Sequence, residues 1–301
     1  MEAEGSIVIL DFGSQYTQLI ARRIREQHAF SVILPCHSRV EKVAALKPAG
    51  IVLSGGPSSV YDPDAPFCDP NILQLGKPVL GICYGLQWIV HQLGGKVEAA
   101  PRREYGPAEL TIEDASKLLA NLPAPLKVWM SHGDHVIALP PGFRTVGKTA
   151  SAIAAIENSA RDIYAVQFHP EVRHTECGTE FLRNFVFGIC HAQPNWNPRA
   201  FIETTVAEIQ ARVGTNARAL CALSGGVDST VAAVLVQRAI GDRLVGVFVD
   251  NGLLRRQEFE LTGRLLRERL ALNVVAVDAS QRFLSQLADV TDPEEKRRRI
   301  G

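Results

Sequence analysis

Apolar and polar residues alternate along the first 95 residues in a pattern that predicts strands and helices in turn. Short apolar runs have the length of buried strands. Between them lie stretches whose apolar residues recur with helical spacing, and one such stretch begins at Gln15. Such an alternation is typical of an α/β fold with a parallel sheet. The predicted strands cover residues 6–10, 30–34, 50–53 and 77–82.

The pattern changes after Gly95, where the apolar runs become shorter and turn residues separate them. These runs favour a succession of strands without intervening helices. A helix over residues 179–189 is predicted to close this part of the chain. The predicted strands cover residues 126–130, 135–139, 143–147, 152–157 and 164–168.

A domain boundary is predicted in Gln193-Pro-Asn-Trp-Asn-Pro198, because proline ends helices and asparagine favours turns. We therefore expect a first domain of residues 1–193, a linker of residues 194–199 and a second domain of residues 200–301. The alternation of strands and helices restarts after the linker, which again indicates a parallel α/β domain. The predicted helices cover residues 198–213, 227–240 and 257–270, and the predicted strands cover residues 218–223, 244–249 and 273–277.

Composition and charge narrow the class of protein. The 301 residues include 32 Lys and Arg against 32 Asp and Glu, so the formal net charge is zero. Proteins that bind nucleic acids or anionic membranes usually present a basic face, so we expect neither partner. The sequence shows no apolar run as long as a membrane span, no secretory signal and no Cys-x-x-Cys pair among its six cysteines. These features predict a location in the reducing cytoplasm.

Cys83 stands in a sequence that is typical of a catalytic nucleophile. An apolar run leads into Gly81-Ile-Cys-Tyr-Gly85, and a helical pattern follows. Glycines two residues before and two residues after the nucleophile allow the sharp strand-to-helix turn that lifts its side chain above a sheet. A helix N-terminus and a nearby imidazolium both favour the thiolate. The pattern therefore predicts that Cys83 is an activated nucleophile.

Two further residues could complete a catalytic triad with this cysteine. His169 ends the apolar run Ala165-Val-Gln-Phe-His169, and Glu171 follows two residues later. A histidine can serve as the general base for the thiol, and a carboxylate can orient the imidazole ring. We therefore predict that Cys83, His169 and Glu171 are the catalytic residues.

A triad of this kind also requires N–H donors that stabilise the oxyanion of the tetrahedral intermediate. The segment Leu53-Ser-Gly-Gly-Pro57 ends a predicted strand in a glycine pair, so Gly55 and Gly56 are candidates. The N–H of Tyr84, directly after the nucleophile, is the other candidate. A glycine pair before proline is also typical of an ordinary tight turn, and the sequence leaves both interpretations open.

The segments around Cys83 and His169 resemble the hallmark sequences of the class I glutamine amidotransferase family, and the resemblance covers about residues 6–190. It implies a flavodoxin-like fold with a mixed sheet. It also implies that the cysteine attacks the side-chain amide of glutamine, forms a γ-glutamyl thioester and releases ammonia.

The same resemblance implies that Gln87, Ser131 and His132 help to hold the glutamine. His132 and His135 have two other interpretations, as part of a surface turn or as a pair of metal ligands. The metal interpretation lacks the further ligands that zinc requires.

A second candidate site lies in Ser224-Gly-Gly-Val-Asp-Ser-Thr230, between a predicted strand and a predicted helix. Glycines at such a turn let backbone N–H groups approach an anion, and the helix N-terminus adds partial positive charge. The hydroxyl groups of Ser224, Ser229 and Thr230 add donors. The loop lacks the lysine of a Walker A motif, so transfer of a γ-phosphate is not indicated. A turn that merely caps the helix is the alternative.

This loop resembles the PP-loop of the ATP pyrophosphatase family, which cleaves ATP between its α and β phosphates. The resemblance implies an adenine-nucleotide α-hydrolase-like α/β domain with ATP as substrate and Mg²⁺ as cofactor. By this resemblance Asp228 would orient Mg²⁺, and Val249 would meet the adenine. The residues expected at ATP are Ser224, Gly225, Gly226, Val227, Asp228, Ser229, Thr230 and Val249.

The two domains in this order resemble the family of glutamine-hydrolysing GMP synthetases. The resemblance implies that ATP adenylates xanthosine monophosphate (XMP) with release of pyrophosphate, and that ammonia from glutamine then displaces AMP to give GMP. In that family the PP-loop domain is longer and a dimerisation domain follows it. We therefore expect the N-terminal part of the PP-loop domain here, and a homodimer only for the full-length family. The alternatives are another glutamine-dependent PP-loop ligase and a non-catalytic sensor of glutamine or nucleotide.

Overall fold

The computed structural model describes residues 4–114 and 116–300. This part of the chain forms two compact units, which divide between Trp196 and Asn197. Residues 1–3 and 301, which belong to the predicted domains, lie outside the described residues. Within the described residues, every helix is too short or too polar to cross a membrane.

The first unit is built on a mixed sheet. Its strands are β1 (Ile7–Asp11), β2 (Ser31–Pro35), β3 (Gly50–Leu53), β4 (Val79–Ile82), β5 (Lys96–Ile112), β6 (Leu126–Ala138), β7 (Arg144–Lys148), β8 (Ile153–Asn158) and β9 (Ile163–Val166). In the described residues they are ordered β2-β1-β3-β4-β9-β8-β7-β5-β6. The pairs from β2 to β9 are parallel, and the pairs from β9 to β6 are antiparallel. The predicted mixed α/β fold is confirmed.

Apolar side chains cover both faces of the parallel part of this sheet. In β1, Ile7 and Ile9 belong to one buried cluster, whereas Val8 and Leu10 belong to another. A strand that is buried on both faces has a continuous apolar sequence, and the parallel strands could therefore be predicted from the sequence. The helices of this unit are α1 (Thr17–Glu26), α2 (Val40–Ala45), α3 (Tyr84–Gln92) and α4 (Gly178–Arg183), and a π-helical segment over Asn184–Ile189 follows α4.

The antiparallel part of the sheet differs from the sequence prediction. Residues 96–112, where no strand is predicted, form the long strand β5, and the two strands predicted over residues 126–130 and 135–139 are one strand, β6. The side chains of β6 alternate between buried and more open positions, and polar residues interrupt its apolar pattern. The predicted break within β6 is therefore wrong. This hairpin forms one wall of the site described below.

The second unit contains a parallel sheet in the order β10-β11-β12. An apolar cluster with Leu223, Leu244, Phe248 and Leu266 forms its core. The strands are β10 (Ala219–Leu223), β11 (Leu244–Asp250) and β12 (Val274–Asp278), and the helices are α5 (Pro198–Val213), α6 (Val227–Ile240), α7 (Glu258–Arg264), α8 (Ser280–Leu287) and α9 (Pro293–Ile300). The predicted parallel α/β character of this part is confirmed.

Candidate active site

The predicted triad lies where three neighbouring parallel strands end. Cys83 directly follows β4, Gly55 and Gly56 follow β3, and His169 follows β9. Because these strands pair in parallel, their carboxyl ends meet at one edge of the sheet. Ligands of open α/β sheets commonly bind at this edge. The topology thus brings residues together that lie far apart in the sequence.

The turn that carries Cys83 requires both of its glycines. Cys83 has φ 53° and ψ −104° and is the N-cap residue of α3. A Cβ atom on Gly81 would lie 2.7 Å from the carbonyl oxygen of Gly85, and one on Gly85 would lie 2.3 Å from the carbonyl oxygen of Leu53. The strained backbone of Cys83 is the conformation expected of a nucleophile on a strand-to-helix turn.

Replacing Gly85 with alanine should destabilise the first unit. The new Cβ atom would overlap the carbonyl oxygen of Leu53, so α3 would have to move away from β3, at a cost of about 1–3 kcal/mol. Urea unfolding followed by circular dichroism measures the change in the free energy of unfolding. Gly188→Ala is the matched control, because nothing lies within 4 Å of its Cβ position. Equal stability of the two variants would contradict the prediction.

His169 links the other two members of the predicted triad. Its Nδ1 atom lies 2.7 Å from Oε1 of Glu171, and both side chains are buried. The imidazole also lies beside the side chain of Cys83. Burial lowers the pKa of His169, but the hydrogen bonds to Cys83 and Glu171 outweigh it and raise the pKa to about 10. The ring is therefore positively charged at neutral pH, between the sulfur and the carboxylate.

Neighbouring elements fix the positions of His169 and Glu171. The backbone N–H of His169 donates to the carbonyl oxygen of Trp129 in β6 at 3.0 Å, and the hydroxyl of Thr175 donates to the carbonyl oxygen of His169 at 2.7 Å. Nε of Arg23 in α1 donates to the carbonyl oxygen of Glu171 at 3.1 Å. The orientation of the imidazole thus depends on β6 and α1 as well as on β9.

The glycine pair predicted to stabilise the oxyanion lies beside the nucleophile. A Cβ atom on Gly55 would be 3.7 Å from Cβ of Cys83 and 3.2 Å from Cε1 of His169. One on Gly56 would be 3.3 Å from Cγ of Tyr84. A side chain at either position would crowd these neighbours, so both positions favour glycine.

The N–H of Tyr84 is placed differently from those of its two neighbours. The N–H of Cys83 donates to the carbonyl oxygen of Val166, and the N–H of Gly85 donates to that of Ser54. As the first residue of α3, Tyr84 has no acceptor within its own helix. Of the N–H groups of Cys83, Tyr84 and Gly85, that of Tyr84 is therefore the one that suits an oxyanion.

The residues predicted to hold glutamine surround the same cysteine. Sγ of Cys83 donates to the carbonyl oxygen of Ser131 at 3.6 Å, and Nε2 of Gln87 donates to the carbonyl oxygen of Asp134 at 3.2 Å. His132 is buried within β6, with Nδ1 2.8 Å from the carbonyl oxygen of Asp134. The alternative that places His132 in a surface turn is therefore wrong.

Gln167 is a site residue that the predicted set does not include. Its Nε2 atom donates to Sγ of Cys83 at 3.7 Å, and its Oε1 atom accepts a hydrogen bond from Gln87 at 3.4 Å. The side chain is fully buried. The sequence did contain a signal for Gln167, because its amide side chain stands inside an otherwise apolar run.

Two polar contacts of the β5–β6 hairpin beside the site could not be predicted from the sequence. The hydroxyl of Tyr61 donates to Oδ1 of Asp134 at 2.8 Å, although 73 residues separate the two positions. Nε2 of His132 lies 3.1 Å from Oε2 of Glu104. Both contacts depend on how the chain folds back on itself, which short-range patterns do not encode.

A cavity of about 590 Å³ opens above Cys83. Its volume lies within the usual range for small-molecule sites. Polar groups from four parts of the chain line it, which suits a polar substrate with few apolar atoms. Its walls include Gly56, Tyr61, Cys83, Gln87, Ser131 and Asp134.

In the second unit, the serine-glycine loop connects β10 to α6 as predicted. Gly225 has φ +78°, and Gly226 is the N-cap residue of α6. The N–H of Ser224 donates to Oγ of Ser229 at 3.2 Å, and the hydroxyl of Thr230 donates to the carbonyl oxygen of Gly226 at 2.8 Å. These hydroxyl groups stabilise the turn itself and leave it open above the helix N-terminus.

The remaining residues predicted at ATP lie at the same edge of the second sheet. Val227 and Asp228 are exposed in the first turn of α6, and Val249 near the end of the neighbouring strand β11 is partly exposed. Within the described residues, no three His, Cys, Asp or Glu side chains form a ready-made metal site. Mg²⁺ at nucleotide sites commonly uses one or two carboxylates together with phosphate oxygens, so the single carboxylate of Asp228 fits that mode.

Comparison with known proteins agrees with this geometry. The sequence matches the family model "Glutamine amidotransferase class-I" over residues 8–189, the part that contains Cys83 and His169. The chain belongs to this family. Residues 199–298 match the NAD synthase family model, which covers the serine-glycine loop. The prediction of an amidotransferase domain followed by a PP-loop domain is confirmed.

Two relatives match nearly the whole chain, across both units. The chain is 53% identical to the GMP synthase (glutamine-hydrolyzing) of Thermosynechococcus vestitus, and the match covers 98% of this chain and 55% of that protein. It is 50% identical to the GMP synthase (glutamine-hydrolyzing) of Fusobacterium nucleatum, and the match covers 99% of this chain and 58% of that protein. It thus spans little more than half the length of these relatives. A solved structure from Thermoplasma acidophilum, described as one subunit of a GMP synthase, is 31% identical with a TM-score of 0.55, and the match covers 62% of this chain and 94% of that one. The resemblance to GMP synthetases is confirmed.

Proposed function

We propose that this chain hydrolyses glutamine at Cys83 and supplies the ammonia for an ATP-dependent conversion of XMP to GMP. One observation carries the proposal: Cys83 lies at a polar cavity beside His169, whose imidazole contacts Glu171. The identity of 53% to a glutamine-hydrolyzing GMP synthase supports the choice of reaction.

The first step forms a thioester. The sulfur of Cys83, whose proton His169 has taken, attacks the side-chain amide carbon of glutamine, and the negative charge that develops on the amide oxygen faces Tyr84 N–H and the glycine pair. His169, which is protonated at neutral pH, gives its proton to the amide nitrogen as the C–N bond breaks. Ammonia leaves, and a γ-glutamyl thioester remains on Cys83.

The second step frees the sulfur and returns one proton to His169. His169, now neutral, accepts a proton from a water molecule, whose oxygen attacks the thioester carbon. The C–S bond breaks, glutamate leaves, and Cys83 is free again. Glu171 stabilises the imidazolium in both steps through its contact with Nδ1.

The second unit would prepare the acceptor for this ammonia. The loop from Ser224 to Thr230 would hold the phosphates of ATP, and Val249 would meet its adenine. Asp228 would hold Mg²⁺, which neutralises charge on the phosphates when bound. The 2-oxygen of XMP attacks the α-phosphorus of ATP and pyrophosphate leaves; ammonia then attacks the activated carbon and AMP leaves. Adenylation is required because a carbonyl oxygen is a poor leaving group.

The cellular setting follows from the same proposal. XMP and ATP are nucleotides of the cytoplasm, and we propose that the protein acts there, without nucleic acid or membrane. A homodimer is proposed for the full-length enzymes of this kind. The two alternatives are a different acceptor for the ammonia and a sensor without activity.

Product analysis distinguishes these possibilities. We expect glutamate release with glutamine alone, and AMP and pyrophosphate release with ATP, Mg²⁺, ammonia and XMP, but not with other nucleotide acceptors. Asp228→Ala should lose AMP release, whereas Asp242→Ala, an exposed aspartate at the far end of α6, should retain it. Glutamate release without AMP from any acceptor would reduce the proposal to a glutaminase. Absence of both products would favour the sensor.

A further inference from the structure

Arg103 lies in the cavity above Cys83 and has no role in the chemistry described so far. It belongs to β5, and among the described residues that line the cavity it is the only Lys or Arg. Its Nε atom lies 3.7 Å from the position that a Cβ atom on Gly133 would occupy. Within residues 4–114 and 116–300, the side chain of Arg103 takes part in no hydrogen bond or ion pair. Its guanidinium group is therefore available to an anion.

The hairpin places this group on the same part of β6 that contacts the nucleophile. Glu104 pairs with His132, and the side chain of Arg103 lies beside the next residue of β6, Gly133. The carbonyl oxygen of Ser131 is 3.6 Å from Sγ of Cys83. Two residues along a strand span about 6.7 Å, which is the spacing along β6 between Ser131 and Gly133.

Glutamine has a length that suits this spacing. Four bonds join its side-chain amide carbon to its α-carboxyl carbon, which places these two atoms about 5 Å apart in an extended conformation. With the amide carbon against the sulfur of Cys83, the α-carboxylate therefore comes within reach of Arg103. A guanidinium can bind a carboxylate through two parallel hydrogen bonds.

The charges in the cavity also match both ends of a free amino acid. Asp134 lines the same cavity, and its carboxylate accepts a hydrogen bond from Tyr61. A carboxylate and a guanidinium in one cavity complement the ammonium and carboxylate groups on the α-carbon of glutamine. A glutamine residue inside a peptide has neither charge.

We propose that Arg103 binds the α-carboxylate of the substrate, so that the site selects free glutamine over glutamine whose carboxyl group is blocked. This inference rests on the proposed glutaminase activity. Arg103 acts as a specificity residue and takes no part in breaking the C–N bond.

The test compares L-glutamine with L-glutamine α-amide, in which a neutral carboxamide replaces the α-carboxylate. Arg103→Ala should raise the KM for glutamine about 10- to 100-fold with kcat changed less than about threefold, since a hydrogen-bonded ion pair is lost from binding alone. The KM for the α-amide should change little, and Arg103→Lys should restore part of the affinity for glutamine. Lys127→Ala removes one positive charge from the exposed face of the same hairpin and is the control.

The outcomes separate this inference from the proposed function. Absence of glutamate release by the unmodified protein would overturn the proposed function itself. Normal hydrolysis with an unchanged KM in Arg103→Ala, or an equal rise of KM for glutamine and for the α-amide, would overturn only the role of Arg103. Urea unfolding of each variant shows whether the substitution has damaged the fold, and Arg103→Gln, which keeps most of the side-chain volume, replaces Arg103→Ala in that case.

Discussion

Glutamate release from glutamine should fall to background when Cys83 is replaced by alanine. The sulfur is the atom that forms the thioester, and no other thiol lies in the cavity among the described residues. We expect the rate to fall by at least about 10⁴-fold, because loss of a nucleophile removes the covalent route altogether. A coupled assay for glutamate measures the rate, with the unmodified protein as reference.

Two further variants make this result specific. Cys83→Ser keeps a similar shape but offers a hydroxyl group, which is a much weaker nucleophile than a thiolate, so it should also be inactive. Cys221→Ala removes a partly exposed thiol of the second unit and should retain full glutaminase activity. Glutamate release by Cys83→Ala at more than a few per cent of the reference rate would contradict the triad assignment.

The location of the nucleophile could be predicted because its signal is local. Gly81, Cys83 and Gly85 lie on one turn, and the close approach of Gly85 to Leu53 shows why the spacing of the glycines is fixed. The strand before this turn is buried on both faces, so a continuous apolar run marks it. For the same reasons, the serine-glycine loop of the second unit could be predicted between β10 and α6.

The hairpin wall of the cavity could not be predicted in the same way. Ser131 and His132 lie in the middle of β6, where polar side chains face the cavity and interrupt the alternation that marks a strand. Glu104, the partner of His132, and Tyr61, the partner of Asp134, come from distant parts of the chain. Residues that serve a binding site break local patterns, so a strand that lines a site is harder to recognise than a strand in the core.

Replacement of His169 by glutamine should have the second-largest effect. Without the imidazole, no other titratable side chain among the described residues that contacts both Cys83 and Glu171 can give a proton to the departing nitrogen or accept one from water. General acid–base catalysis typically contributes about 10²- to 10⁴-fold, and we expect a loss of glutamate release in this range. His91→Gln, at the exposed end of α3, is the matched control and should remain active.

The pH dependence of stability gives a second measurement on the same variant. The pKa of His169 is raised from its ordinary value of 6.5 to about 10 in the folded protein, since its hydrogen bonds to Cys83 and Glu171 outweigh the effect of burial. A group whose pKa is higher in the folded state contributes its full stability below pH 6.5, and this contribution is lost as the pH rises towards 10. The unmodified protein should therefore exceed His169→Gln in the free energy of unfolding by more at about pH 6 than at about pH 10. Urea titrations at both pH values measure this difference. A difference that stays constant or grows with pH would show that His169 is not held as an imidazolium between the sulfur and the carboxylate.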